Sequence, residues 1–235
     1  MGSQVKFDCK NETCLIDEDI LVRVNENYGI LGWRASNYTA YWGKTYNEGR
    51  SSRLGTIHSK EKILRMTPIS QVLVSGTIPR TFDARLKWPN IISKPKDQGW
   101  CGASWVFSTV SVVSDRFAIM TNGKDQTFLS PQQLLSCSRN QRGCKGGQLT
   151  RAWTFIRKYG LVSESCYPWT SSISECKIRR LKNQLTAQCP TYISDITSGK
   201  LHRVGPVYRI AGELGIMHEI LYSGPVQGII LNDFS

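Results

Sequence analysis

Apolar residues recur at helical spacing over four stretches of the chain. Between about Ser104 and Thr121, Trp105, Thr109, Val112, Val113, Phe117 and Met120 fall on one face at a period near 3.6, which predicts a long helix. Asn122-Gly123 follows as a left-handed stop. Ser130-Pro131 has the N-cap and first-position residues of a short helix running to Leu135. Residues 149–159 predict a third helix, with Leu149, Trp153 and Ile156 inward and Gly160 ending it. A fourth covers Glu213–Tyr222, stops at Ser223-Gly224-Pro225, and leaves Val226–Leu231 as an apolar strand. The pattern after residue 78 therefore predicts three or four helices and at most one or two strands.

Before that point the chain is different. An apolar stretch (Val72, Leu73, Val74) leads to Gly76-Thr77-Ile78-Pro79, which has the Gly and Pro of a linker. Charge divides at the same place: residues 1–78 hold ten basic and eight acidic side chains, the remainder twenty and ten. The whole chain carries +12 in 235 residues. At 40% hydrophobic and 20% charged, it is able to bury a core and is no disordered tail. No run of eighteen apolar residues occurs, so no membrane-spanning helix is expected. The first thirty residues, with Cys9, Cys14 and acids at Asp17–Asp19, do not read as a signal peptide.

Eight cysteines, with no C-x-x-C and so no zinc spacing, predict disulfides rather than metal ligation. Two Asn-X-Thr sequons, at Asn11 and Asn37, suit a secreted glycoprotein. Without a leader, such a protein is expected to be a fragment or an isoform.

The chemistry concentrates at Gln98-Gly99-Trp100-Cys101-Gly102-Ala103-Ser104-Trp105. This matches the C-G-[SA]-C-[WY] signature of papain-like nucleophiles at Cys101, Gly102, Ala103 and Trp105, with Ser104 where the nucleophilic Cys belongs. A helix N-terminus lowers a thiol's pKa and makes a thiolate available; an alcohol in the same place stays protonated unless a strong base adjoins it. Partner His and Asn residues are expected about 130–150 residues downstream, a window opening near residue 234. His202 and His218 fall short of it and are expected to be surface residues, and His58 is no better placed.

These residues resemble the papain family, in particular its cathepsin B-type members. Phe82-Asp83-Ala84-Arg85 with Trp88-Pro89 is similar to the start of a mature enzyme, Cys144-Lys145-Gly146-Gly147 to the family's Cys-x-Gly-Gly, and residues 28–56 to its propeptide. Gly160-Leu161-Val162-Ser163 and Gly224-Pro225-Val226 also fall where the family has them. Ser104, with Cys14-Leu15-Ile16-Asp17, Asn27-Tyr28-Gly29, Trp42-Gly43, Arg53-Leu54-Gly55-Thr56, Arg151-Ala152-Trp153 and Pro206-Val207-Tyr208-Arg209, is similar to the tubulointerstitial nephritis antigen branch, secreted basement-membrane glycoproteins.

The resemblance implies an α+β papain-like domain over 79–235, with its helical left half present and its β-rich right half largely missing. Ahead of it stand a propeptide-like segment at 28–78 and a cysteine-containing remnant at 1–27. Gln98 takes the oxyanion-hole position. Implied disulfides pair Cys101 with Cys144, Cys137 with Cys176, Cys166 with Cys189, and Cys9 with Cys14 or with an upstream partner. The expected function is that of an inactive peptidase homologue in the extracellular matrix, with laminin, collagen and integrin-type receptors as partners. No cofactor is expected. Alternatives are a peptidase of residual activity, extracellular or lysosomal, and a decoy or inhibitor of cathepsins. Thr170–Gln188, where cathepsin B carries a His-bearing occluding loop, contains no His. It holds Lys177, Arg179, Arg180 and Lys182, a run of the kind that binds heparin-like polyanions; Arg139, Arg142, Lys145, Arg151, Arg157 and Lys158 would enlarge that face. No nucleic-acid motif accompanies the charge.

Overall fold

The structure, a computed structural model, describes residues 9, 12–58, 67–68 (backbone only), 77–180, 185–190 and 197–229. The chain divides into two compact units, Met1–Leu54 and Gly55–Ser235.

The first unit is built from locally encoded helices. In α1 (Glu18–Glu26), the Asp17 carboxylate accepts from Ile20 N–H at 2.9 Å, satisfying an orphan donor at the end where negative charge is favoured. The short α2 (Tyr28–Leu31) is stopped by Gly32 at φ 72°. A reciprocal capping box opens α3 (Tyr46–Arg53): Glu48 N–H donates to Thr45 Oγ1, and Thr45 N–H donates to the Glu48 carboxylate. Cys9 and Cys14 are joined by a disulfide.

In the second unit, α4 (Ala84–Lys87) precedes the central helix α5 (Ser104–Met120), which packs on α6 (Pro131–Cys137) and α7 (Leu149–Tyr159). Each end obeys the sequence. Asn122 and Gly123 adopt φ 51° and 76° after α5, and Ser130 Oγ accepts from Gln133 N–H at the start of α6. Gly160 turns the chain at φ 74° after α7. The last helix, α8 (Glu213–Ser223), ends at Gly224 with φ 105°.

The core wraps α5 on nearly all sides. Trp105, Val106, Val110 and Val113 join Leu129, Leu134, Ala152, Ile156 and Leu161 in one cluster. The predicted face held at Trp105, Thr109, Val112 and Val113, all buried, but Met120 is 72% exposed. A helix surrounded by partners does not display its inward side as a stripe, so periodicity alone misplaces a residue at its free end. In α7 the fully buried positions are Ala152 and Ile156, whereas Trp153 is half-buried and donates from Nε1 to Gln227 Oε1 at 2.6 Å.

Strands are more numerous and shorter than the pattern predicted. The antiparallel sheet β2 (Arg179–Arg180), β3 (Thr186–Gln188), β4 (Ser198–Lys200) covers a second cluster with Val162, Cys166, Tyr167 and Ala187. Thr67–Pro68 (β1) pairs in parallel with Tyr208–Arg209 (β5). Runs of two or three residues are too short to leave an alternating signature. Conversely, Val226–Ile229 form no strand, because no ladder partner faces them among the described residues; residues 230 and 231 lie outside those residues.

Candidate active site

Ser104 is the first residue of α5, where helix N–H groups and the macrodipole converge. The loop before it is held by the Cys101–Cys144 disulfide (Cα–Cα 4.6 Å) and by Gly102 N–H donating to Cys144 O at 3.0 Å. Trp105 locks the next turn. Its indole Nε1 donates to Gly143 O at 3.1 Å, and its ring lies so close over Gly147 that a Cβ there would stand 2.6 Å from it. The two glycines after Cys144 thus have separate causes: Gly146 holds φ 109°, and Gly147 leaves room for the tryptophan.

A strap crosses this site. Gly55 N–H donates to Ser104 Oγ at 3.0 Å, and the Thr56 and Ser104 hydroxyls share a hydrogen bond of 3.0 Å. The strap is clamped on Gly147 by two backbone bonds of 2.8 Å, Gly147 N–H to Gly55 O and Ile57 N–H to Gly147 O. Gly55 is required by contact: an added Cβ would lie 1.7 Å from Gly102 O. The sequence pattern flagged Gly55 and Thr56 within a motif but gave them no role.

Neither hydrogen-bond partner of the Ser104 hydroxyl is an imidazole. Gln98 stands in the same loop, its Nε2 donating to Cys101 O at 2.7 Å. His58 is exposed, and His218 packs its ring on Tyr222. His202 is not a surface residue as expected: it is buried, with Nε2 3.0 Å from Asp125 Oδ2 and its ring edge-on to Phe117. Its neighbour Leu161 is part of the core and bonds its backbone in both directions, so the chain carries the imidazole inward. The Thr127 hydroxyl, against a burial penalty, together with His202 holds the Asp125 carboxyl well below the ordinary carboxylate range.

A second buried polar group went unread in the sequence. Glu219, on α8, accepts from Arg116 of α5 at 2.9 Å and from the Tyr208 hydroxyl at 2.6 Å, while Arg116 also donates to Tyr208 and to Pro225 O. Burial raises the Glu219 pKa, but these donors outweigh it and the net shift is downward; burial and donation to Glu219 push the Tyr208 phenol up.

All eight cysteines are bonded, as Cys9–Cys14, Cys101–Cys144, Cys137–Cys176 and Cys166–Cys189. Asn37 Oδ1 accepts from Trp42 Nε1 at 2.5 Å, and Asn11 lies outside the described residues. Lys177 and Arg179 are exposed; Lys182 and the side chain of Arg180 lie outside the described residues. Among the described residues there is no metal-binding cluster of His, Cys, Asp or Glu, and no helix long and apolar enough to cross a membrane.

A nucleophile position at a helix start, tied by a disulfide to a Cys-x-Gly-Gly loop and crossed by an upstream strap, defines a papain-type peptidase scaffold. Residues 78–232 match the family model "Papain family cysteine protease", and the chain belongs to that family. It is 41% identical to the rat protein "Tubulointerstitial nephritis antigen-like" over 96% of its own length, and 38% identical to human "Tubulointerstitial nephritis antigen" over the same share. It spans 51% and 49% of those relatives, about half their length. Among solved structures, proCathepsin B S9 from Trypanosoma congolense superposes with a TM-score of 0.71 at 26% identity, covering 88% of this chain and 70% of that one.

Proposed function

We propose that the chain is a secreted, catalytically inactive peptidase homologue that serves as a scaffold or adhesion protein of the extracellular matrix. One observation carries the inactivity: Ser104 presents a hydroxyl whose two hydrogen-bond partners are a backbone N–H and another hydroxyl. A helix dipole that suffices to ionise a thiol leaves an alcohol protonated, because the alcohol begins several pKa units higher. Serine nucleophiles work beside an imidazole that takes their proton; here the N–H of Gly55 engages an oxygen lone pair that an attack would need. The residues from 28 to 78 act, on this reading, as a pro-like segment whose strap stays in place.

Secretion is supported by four disulfides, which persist in oxidising compartments, and by the sequon at Asn37. The matrix role, with laminin, collagen and integrin-type receptors as partners, is carried over from the resemblance to the tubulointerstitial nephritis antigen branch, which the similarity to proteins of that name supports.

Two assays test this. Incubated with fluorogenic peptide substrates, the chain is expected to give no turnover above buffer; turnover abolished by Ser104→Ala would overturn the inactivity. In solid-phase binding to laminin and collagen coats, saturable adhesion is expected, and failure on both would overturn the matrix role.

A further inference from the structure

From Gln126 to Ser163 the chain contains no acidic residue and six basic ones. The fold gathers most of these cations rather than scattering them. Tight turns over 137–146 fix Arg139, Arg142 and Lys145: Arg139 N–H donates to Cys137 O, Arg142 N–H to Gly146 O at 2.9 Å, and Lys145 N–H to Arg142 O. This loop is tied to the start of α7 by a two-way amide clasp, Gln141 Nε2 to Gln148 O at 2.8 Å and Gln148 N–H to Gln141 Oε1 at 2.9 Å. Arg151, one turn into α7, donates from its guanidinium to Asn140 O, which brings its charge onto the loop backbone next in sequence to Arg139. Lys158 continues the row on the same helix face, seven residues or about 10 Å further along. The backbone under the loop is pinned by the Cys101–Cys144 and Cys137–Cys176 bonds, so it is pre-shaped.

All five side chains are exposed, and among the described residues none pairs with a carboxylate. Elsewhere in this unit cations do find acids: Arg85 with Asp83, Lys96 with Glu164, Arg116 with Glu219, Lys200 with Asp125. An unneutralised row on a rigid loop and helix is costly in self-repulsion, and that cost is relieved by an anionic ligand.

We infer that Arg139, Arg142, Lys145, Arg151 and Lys158 form a docking surface for a sulfated linear polysaccharide. Charge complementarity selects a polyanion, and the row suits an extended chain rather than a single phosphate. The choice of polysaccharide over nucleic acid rests on the extracellular placement proposed above; the surface itself does not. It is a different set of residues from the Lys177, Arg179, Arg180 and Lys182 run, which begins just after Cys176, the disulfide partner of Cys137.

The test uses the full chain and a size-defined heparin oligosaccharide, titrated calorimetrically at low salt. Each cation beside an anionic surface is worth about fivefold in affinity, so the Arg142→Gln/Lys145→Gln/Arg151→Gln variant is expected to bind about a hundredfold more weakly. An Arg80→Gln/Lys94→Gln/Lys124→Gln variant, with the same change in net charge, is expected to lose less than about fivefold, because its sites lie off the row. Equal losses in the two variants would overturn the inference. Should the first variant misfold, acetylation footprinting of the parent decides: heparin is expected to protect Lys145 and Lys158 and not Lys94 or Lys124. Absence of that protection overturns the inference. Duplex DNA binding as tightly as heparin in the same buffer would overturn the polysaccharide assignment while leaving the peptidase and adhesion assays untouched.

Discussion

Replacing Gly55 by Ala probes the strap without touching the core. The backbone at Gly55 is not left-handed, so the substitution costs through contact alone: the new methyl would stand 1.7 Å from Gly102 O, a distance only displacement of the strap relieves. Displacement breaks the Gly55–Ser104, Thr56–Ser104, Gly55–Gly147 and Ile57–Gly147 hydrogen bonds. At a net 0.5–1.5 kcal/mol for each, the strap loses about 2–6 kcal/mol of closing energy. Gly55 is buried but Thr56 and Ile57 are half-buried and regain water, which places the loss in the lower half of that range, about 3 kcal/mol. Hydrogen exchange read by mass spectrometry is then expected to speed at Ile57 and Gly147 by roughly a hundredfold, since 1.4 kcal/mol is a factor of ten. Ser104→Ala removes only the two hydroxyl bonds and is expected to speed exchange at Ile57 by roughly tenfold. Both variants keep the melting transition of the helical core. Parent-like protection at Ile57 and Gly147 in the Gly55→Ala chain would refute the reasoning, because no arrangement of the clamped strap admits that methyl.

Two further outcomes follow from the buried charges. Glu219→Gln keeps an acceptor for Tyr208 but leaves Arg116 without its carboxylate, and is expected to lower unfolding free energy by about 1–3 kcal/mol in urea titrations; an unchanged midpoint would contradict the role given to this group. Asp125 has a depressed folded-state pKa, so its contribution is complete above about 4, the unfolded value, and is lost as pH falls below that. Stability therefore rises with pH across the acid range, and Asp125→Asn is expected to flatten that limb in acid-unfolding curves; a limb of parent steepness would contradict it.

How much of this was legible depends on the range of the interaction that fixes each feature. The ends of α5, α6 and α7 were readable because Asn122-Gly123, Ser130-Pro131 and Gly160 act on their own neighbours. Met120 was misplaced because α5 is enclosed rather than one-sided, and the strand at Val226 because pairing depends on a neighbour that local sequence does not name. At the site, Ser104 and the Cys-x-Gly-Gly loop were legible from residue identity. The strap was not: Gly55 meets Ser104 across 49 positions, and nothing in Gly55-Thr56 itself says where it lands. His202 likewise gave no sign of its burial, which follows from backbone pairing with the distant core residue Leu161 and is matched by a hydrogen bond to Asp125, 77 residues away.

The reading of an inert scaffold stands on the reactivity of one oxygen. Its most direct test is covalent capture by an active-site-directed peptidyl electrophile, applied to the full chain and followed by intact-mass and peptide mass spectrometry. The account predicts no adduct on Ser104 at any pH near neutrality. A stoichiometric adduct mapped to Ser104, lost in Ser104→Ala, would contradict it.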